Sequence, residues 1–549
     1  MPLPGTTVGD LLDEMASRFP DHKALVDVLR GVRFSYKELV GVVDQLAKGL
    51  LKIGLNKGDH VALWSPNRWE WIVTQFALAK IGAVLVSVDT NYQLQQLEYL
   101  LRQSDSKALV MTEGQKGSEY LEMIGLLCPE IGRSLPSSLS CAALPELRNI
   151  LLIGEQSHPG MLHWKEVREA GKELPDQQLS DRQRSCREEE VITLLYTSGT
   201  TGVPKGVMST HFGIIHTTLA SAENQKLTEQ DRLCLSVPLS HMFGCICVAL
   251  AAVMKGATLV IPSSFSDPSS ILEAVERERC TALYGSPSSF IAIMDHPHFQ
   301  AIRKKSLRTG IMGGAQCPME VMKKVDEEMG VKEIVIGYGQ TESSSWITQT
   351  RPDDPLELRV STVGRPLPGV EVKIIDPVSG QEVPGTTIGE ICAKGFNMRG
   401  YYKMPAATAN ALDAEGWLHT GDLGSMDPDG YVRTSGRLKE TINKGGEIIY
   451  PTEIEEILFS HPDISNVQVF GVPDKKMGEE VAAWIQLVEE ATVTEDEIIR
   501  YCRDRLSPSQ LPRYVKFVKE FPMTPLGKTQ KFKMREMAIK EYGLESREL

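Results

Sequence analysis

What this 549-residue chain does not contain narrows its function before any motif is read. It has no stretch suited to a bilayer: the apolar run Cys245–Met254 counts ten residues, about half of the ~20 needed. It has no excess of positive charge, and a formal net charge of −13 excludes general affinity for nucleic acid or anionic membrane. Its ten cysteines show no paired spacing, and no CxxC pair or HExxH motif occurs, so a zinc site has no support. Unpaired cysteines suit a reducing compartment, and Cys245 and Cys247, inside the apolar run, read as buried packing residues. The N-terminus carries Asp10, Asp13 and Glu14 before its first basic residue, Arg18, unlike a secretory or mitochondrial presequence. The final Arg-Glu-Leu matches no peroxisomal or endoplasmic-reticulum tail. A cytoplasmic location is expected of the sequence as it stands, and a mitochondrial one only if a presequence has been removed. Oligomeric state is not legible in it.

What is present is an ordinary globular composition, 42% hydrophobic and 24% charged, at a length that calls for two to four domains. Apolar runs at Val61–Trp64, Ala83–Val88, Ala108–Met111, Ile150–Ile153, Val191–Leu195, Thr258–Ile261, Thr281–Tyr284 and Glu333–Ile336 read as buried strands. Helical patterns such as Trp69–Lys80 and Leu94–Gln103 lie between them, so mainly parallel sheets covered by helices are expected. Pro175–Glu190 reads as an exposed polar linker. Beyond about residue 360, Val370–Ile375, Gly389–Ala393 and Tyr431–Thr434 alternate with turns such as Asp427-Pro-Asp-Gly430, which predicts a smaller, barrel-like β region. Past Gly436-Arg437 a separate α+β segment begins, with a helix near Thr452–Ser460 and strands near Val467–Val472 and Ala482–Val488. Its basic tail, including Lys528, Lys531 and Lys533, suits phosphates or a solvated helix face.

The most informative stretch is Tyr196-Thr-Ser-Gly-Thr-Thr-Gly-Val-Pro-Lys-Gly-Val207. Hydroxyls of Thr197, Ser198, Thr200 and Thr201, close backbone approach at Gly199 and Gly202, and the charge of Lys205 make a cradle for a polyphosphate. Lys205 is followed by Gly206, where the common nucleotide P-loop has the Ser or Thr that holds magnesium, so a metal carboxylate must come from elsewhere. Glu342 in Ile336-Gly-Tyr-Gly-Gln-Thr-Glu342 is the candidate, with Thr341 beside it and Tyr338 offering an aromatic face. Gly310-Ile-Met-Gly-Gly-Ala-Gln316 ends a strand with glycines on which a flat ring can lie. Gly416-Trp-Leu-His-Thr-Gly-Asp422 delivers a carboxylate able to accept both hydroxyls of a ribose. Ser435-Gly-Arg-Leu-Lys-Glu440 supplies Arg437, and Pro522-Met-Thr-Pro-Leu-Gly-Lys528 places a lysine on a shaped loop.

Each segment alone is weak, but YTSGTTGVPKG, YGQTE, GWLHTGD, GRLKE and PLGK together resemble, in order, the core motifs of the adenylate-forming superfamily. That superfamily contains acyl-CoA synthetases, firefly-type luciferases and peptide-synthetase adenylation domains. The resemblance runs from the Phe34-Ser-Tyr-Lys-Glu-Leu region to Lys533, and WSPNRWEWIVTQFALAKIGAVLVSVDTNYQ with KGGEIIYPTEIEE look most like mitochondrial-type medium-chain fatty acyl-CoA synthetases and their bacterial relatives. It implies a large N-terminal adenylation domain, residues 1–438, and a small mobile C-terminal lid, residues 439–549, hinged at Lys439.

It implies the substrates ATP, coenzyme A and a small-molecule carboxylic acid, with Mg2+ on Glu342. Thr197–Thr201, Gly202 and Lys205 would hold the β- and γ-phosphates and Thr341 the α-phosphate. Gly313, Gly314, Ala315, Tyr338 and Gly339 would surround adenine, and Asp422 with Arg437 would grip the ribose. Lys528 would bridge carboxylate and α-phosphate, and the Lys444-Gly445-Gly446 loop would later face coenzyme A. His241, in Pro238-Leu-Ser-His-Met-Phe-Gly244, would border the acyl pocket, although before an apolar run it equally reads as a packed core histidine. Where the family often has Asp after the hinge residue, this chain has Glu440. The leading expectation is an AMP-forming medium-chain fatty acyl-CoA synthetase. The alternatives are an aryl or other carboxylic acid–CoA ligase, a luciferase-like oxygenase, and an inactive binding relative.

Overall fold

The acids of the N-terminus serve a helix. Thr7 and Asp10 form a reciprocal capping box at the start of Val8–Arg18, leaving a negative charge at the end of the helix that favours it. The computed structural model describes residues 5–114, 119–197, 203–300, 305–315, 317, 319–489, 491–523 and 529–544. Of the expected site residues, Ser198, Gly199, Thr200, Thr201, Gly202 and Lys528 lie outside the described residues.

Two large sheets carry the N-terminal part. Among the described residues one has eight strands, with Val191–Thr197, Val84–Ser87, His60–Trp64, Ala108–Thr112 and Asn149–Ile153 successive in space and parallel. The other has nine, with Glu333–Gln340, Thr309–Gly313, Ala282–Gly285, Arg232–Cys234, Thr258–Ile261 and Lys23–Asp27 parallel in turn. Eight of these eleven strands are the apolar runs read in the sequence, and their side chains are buried almost throughout. Antiparallel strands finish the edges: Lys205–Thr210 turns back on Val191–Thr197, and Gly400–Tyr401 adds to its far side. Thr197, Gly313 and Gln340 are the last residues of their strands, so the sheets deliver the candidate motifs at carboxyl ends, where open α/β sheets bind ligands.

The helix Trp69–Ile81 is buried on every side from Glu70 onward. Its one lysine, Lys80, is 1% exposed and bonds Asp13 and Asp44 at 2.5 Å each, so two chain segments supply the counter-charge its burial requires. A four-stranded antiparallel sheet, Glu371–Ile375, Gly389–Lys394, Leu418–Met426 and Val432–Arg437, follows. The C-terminal part has its own five-stranded sheet, built around the long pair Ile464–Asp474 and Gly478–Leu487, and its own apolar cluster under Pro451–Phe459 and Glu495–Arg503. No helix among the described residues is long and apolar enough to cross a membrane.

Two expectations are corrected. Pro175–Glu190 is not a linker: Asp176–Arg184 is a helix that buries Leu179, pairs Asp176 with Lys48, and sends Gln183 to Asp10 and Asp13. A helix with one apolar contact per two turns looks like exposed chain by composition. Nor are all the cysteines unpaired. Cys128 and Cys141 are joined in a disulfide with Cα atoms 5.4 Å apart, 13 residues apart in sequence, so unpaired cysteines no longer support a reducing compartment. The turn Ile131–Arg133, which sends the chain back, leaves no mark in cysteine spacing.

His211 ties the first helix to the sheet edge: its Nδ1 accepts the Val8 N–H at 3.1 Å. Burial pushes its pKa down to about 4, against ~6.5 in an unfolded chain. Between those values the unfolded state binds more protons, so the contribution is complete above pH ~6.5 and is lost as pH falls toward 4. Urea titrations should show this loss, up to about 3 kcal/mol, in the wild type. His211→Asn should flatten it, whereas parallel pH profiles would contradict it.

Candidate functional site

A cavity of about 940 Å³ opens where the carboxyl ends of both sheets meet the antiparallel sheet and the C-terminal part. Thr197 and Lys205 reach it from the two strands of one hairpin, directly opposite in register. The hairpin's flanks are fixed from outside. Tyr99 donates to the Pro204 carbonyl at 3.0 Å, Tyr402 N–H donates to the Gly206 carbonyl at 2.8 Å, and Tyr196 hydrogen-bonds Gln103. The Thr197 hydroxyl is buried without a hydrogen-bond partner among the described residues.

Thr341 and Glu342 occupy a single 3-10 turn, Thr341–Ser343, at the end of Glu333–Gln340, and both line the cavity although more than nine-tenths buried. The turn is closed by Gln340 N–H donating to Ser343 Oγ and by Ser344 in the left-handed region. Gly339 allows the chain to return, since a Cβ there would lie 2.0 Å from the Ser345 carbonyl oxygen. Tyr401 donates its hydroxyl to Glu342 Oε1 at 2.7 Å, leaving Oε2 for another partner. A carboxylate oxygen among hydroxyls is an oxygen-only donor set, which fits a hard cation such as Mg2+.

The next group is held across one strand pair. Asp422 and Arg437 are opposite in register, with Arg437 Nε 3.1 Å from Asp422 Oδ1, and Tyr338 donates to Asp422 Oδ2 at 2.9 Å. Burial works against the Arg437 charge, but Asp422, Glu440, Tyr338 and Glu342 outweigh it and raise its pKa above the usual value. Burial first, then Asp422, keeps the Tyr338 phenol protonated, so it remains the donor. The turn before Asp422 is braced by Glu390, which accepts the Gly421 N–H at 3.0 Å and lies 3.0 Å from His419 Nδ1.

The apolar side of the cavity comes from His241, Met242, Phe243, Cys247 and Trp346. His241 Nδ1 accepts the Phe243 N–H at 3.1 Å, and the chain then winds as a π-helix over Phe243–Leu250 before becoming α-helical at Ala251–Met254. Such wide helices are rare and recur at functional sites. The apolar run predicted burial but could not predict this winding.

Of the expected adenine residues, Gly314 and Gly339 line the cavity, while Gly313 is covered. A Cβ on Gly313 would lie 3.0 Å from the Trp346 ring, so the indole packs close to this glycine. Ala315 is exposed, and Tyr338 meets the site through its hydroxyl. Leu438 and Lys439 line the cavity from the 3-10 turn Leu438–Glu440. From the C-terminal part come Gln530 and Lys533. Lys444, Gly445 and Gly446 lie away from the cavity lining: Lys444 is paired with Glu480 at 2.7 Å, and the Gly445 N–H donates to the Met477 carbonyl at 2.7 Å. Sequence reading missed Tyr401, Trp346 and Glu390. The signal for the first was an aromatic pair between a glycine and a proline, Gly400-Tyr-Tyr-Lys-Met-Pro405.

The model of the AMP-binding enzyme family matches residues 12–402, and that of the AMP-binding enzyme C-terminal domain matches residues 453–528. The chain belongs to the AMP-binding enzyme family. Within the family it is 47% identical to the protein YngI of Bacillus subtilis (strain 168), over 98% of both chains. It is 38% identical to the mitochondrial medium-chain acyl-CoA ligase ACSF2 of Danio rerio, over 99% of this chain and 90% of that one. A similar solved structure is that of the anthranilate CoA ligase AuaEII with anthranoyl-AMP, at a TM-score of 0.86, 26% identity and 99% coverage of both chains. This AMP-binding enzyme thus has the two-part α/β fold of the adenylate-forming superfamily. Replacing Asp422→Asn should remove the charge that both Tyr338 and Arg437 address and weaken AMP binding about tenfold by calorimetry, one charge-assisted bond's worth. Unchanged affinity would separate this cluster from the nucleotide.

Proposed function

We propose that this AMP-binding enzyme is an ATP-dependent fatty acyl-CoA synthetase with a medium-chain preference. The carrying observation is one cavity with Thr197, Lys205, Glu342 and Arg437 on its polar side and Met242, Phe243 and Trp346 on its apolar side. The likeness to ACSF2, named a medium-chain acyl-CoA ligase, supports the substrate class.

In the first half-reaction a carboxylate oxygen attacks the α-phosphorus of ATP, and pyrophosphate leaves, giving an acyl-adenylate. In the second, the thiol sulfur of coenzyme A attacks the acyl carbonyl, AMP leaves, and the thiol proton is released. The first step brings anions together, at a cost of about 4 kcal/mol per charge pair at 4 Å with an effective dielectric near 20. The chain's part is to offset that cost and to position the reactants. Lys205 and the Thr197 loop hold the β- and γ-phosphates, Thr341 the α-phosphate, Gly314 and Gly339 the adenine, and Asp422 with Arg437 the ribose. Glu342 would hold Mg2+, which supplies charge neutralisation on the phosphates when bound. No general base is needed, because the acid is already ionised at neutral pH.

His241 and the π-helix wall the acyl side. Lys528 bridges carboxylate and α-phosphate, and rotation at Lys439 withdraws it and brings Lys444-Gly445-Gly446 toward coenzyme A. That the cavity is lined by Gln530 and Lys533 while Lys444 is paired elsewhere supports an adenylation orientation of the two parts, residues 1–438 and 439–549. A second reading, an aryl-CoA ligase, draws on the similarity to the anthranilate CoA ligase and on the aromatic wall of Phe243 and Trp346.

A coenzyme-A-dependent AMP assay over straight-chain acids from acetate to palmitate, with benzoate and anthranilate alongside, should peak at medium chain lengths. A maximum on the aryl acids would replace the fatty reading, and no turnover with any acid would end both. Lys528→Ala should abolish adenylate formation yet leave thioester formation from supplied acyl-adenylate within about threefold, a small part of the ~10²-fold or greater loss typical of a removed stabilising charge. Equal loss of both steps would contradict the swing.

A further inference from the structure

Lys205 and Glu342 carry opposite charges into one cavity, yet no ion pair joins Lys205 to a carboxylate among the described residues. Tyr401 touches both. Its hydroxyl donates to Glu342 Oε1 at 2.7 Å, and the Lys205 ammonium sits over its ring, 4.3 Å from the centroid. The side chain is 5% exposed. Its backbone is fixed from two directions: it pairs with Val207, two residues beyond Lys205, and its N–H donates to Thr408 Oγ1 at 2.9 Å. Gly400 before it has φ +141°, and a Cβ there would lie 2.8 Å from the Thr408 methyl, so the strand that carries Tyr401 is built around its position.

We propose that Tyr401 is a positioning residue that holds the phosphate lysine and the metal carboxylate apart while orienting both. The ring gives Lys205 a resting partner that surrenders it to a polyphosphate at little cost, because a cation–π contact is weaker than an ion pair. The hydroxyl occupies one oxygen of Glu342 and turns the other toward the cavity, where a hydrated hard cation needs a single well-placed carboxylate. With the ring gone, Lys205 and Glu342 are free to neutralise each other, and the site loses a cation for phosphate and an anion for metal together. This inference rests on the adenylation reading, since it takes Lys205 and Glu342 as the groups that meet ATP and Mg2+.

The test separates hydroxyl from ring and reads binding, not turnover. Mn2+ affinity is measured by electron paramagnetic resonance in the presence of α,β-methylene-ATP, and affinity for that nucleotide by calorimetry in EDTA. Tyr401→Phe should weaken Mn2+ about tenfold while leaving metal-free nucleotide affinity within twofold. Tyr401→Leu should weaken both, each about tenfold. Should Tyr401→Leu fail to fold, the ratio of the two affinities in Tyr401→Phe decides. Mn2+ affinity within twofold of wild type in Tyr401→Phe, at an unchanged melting temperature, would overturn the proposal and leave Tyr401 a packing residue. Failure of the wild type itself to bind the nucleotide would overturn the adenylation reading and this proposal with it.

Discussion

The constraint that shapes this protein is that a lysine and a glutamate, Lys205 and Glu342, share one cavity with no ion pair between them among the described residues. At 4 Å and an effective dielectric near 20, such a pair attracts by about 4 kcal/mol, as much as a useful ligand contact can supply. The fold keeps Lys205 and Glu342 on different sheets. Lys205 begins an antiparallel strand near the edge of one, and Glu342 sits in the turn after a parallel strand of the other. Tyr401, delivered by a two-residue strand, stands between them. Asp422 and Arg437 solve the same problem in the opposite way. They are placed directly across from each other and do pair, with Tyr338 donating to the second carboxylate oxygen.

The scaffold follows from this division. Parallel strands buried on both faces cannot carry polar side chains along their length, so the chemistry collects at their ends. Thr197, Gly313 and Gln340 terminate their strands, and the motif residues lie at or after these ends in sequence. Glycine is demanded where chain passes close to chain, as at Gly339 beside Ser345 and Gly400 beside Thr408.

The buried strands were legible because eight apolar runs of the right length recur between helical patterns, and they appear within four residues of the expected ends. Lys205, Thr341, Glu342, Arg437 and Lys439 were legible as motif residues, and the cavity gathers them from segments more than two hundred residues apart. What escaped the sequence depends on tertiary contact. Gly313 read as a shelf for a flat ring, and what the sequence did not show is that Trp346, from the antiparallel strand two places along the sheet, packs its ring close to this glycine. Asp176–Arg184 looked like a linker because a helix that buries only Leu179 has no visible apolar stripe. Tyr401 lay outside every motif because its meaning is its two partners, each at least fifty-nine residues away in sequence.

The central claim is that the cavity joins a carboxylate to the α-phosphate of ATP before coenzyme A is involved. Exchange of labelled pyrophosphate into ATP, measured without coenzyme A and with or without octanoate, tests this directly. The account predicts exchange that depends on the acid and is absent without it. Exchange that requires coenzyme A, or none with any acid that supports thioester formation, would contradict it.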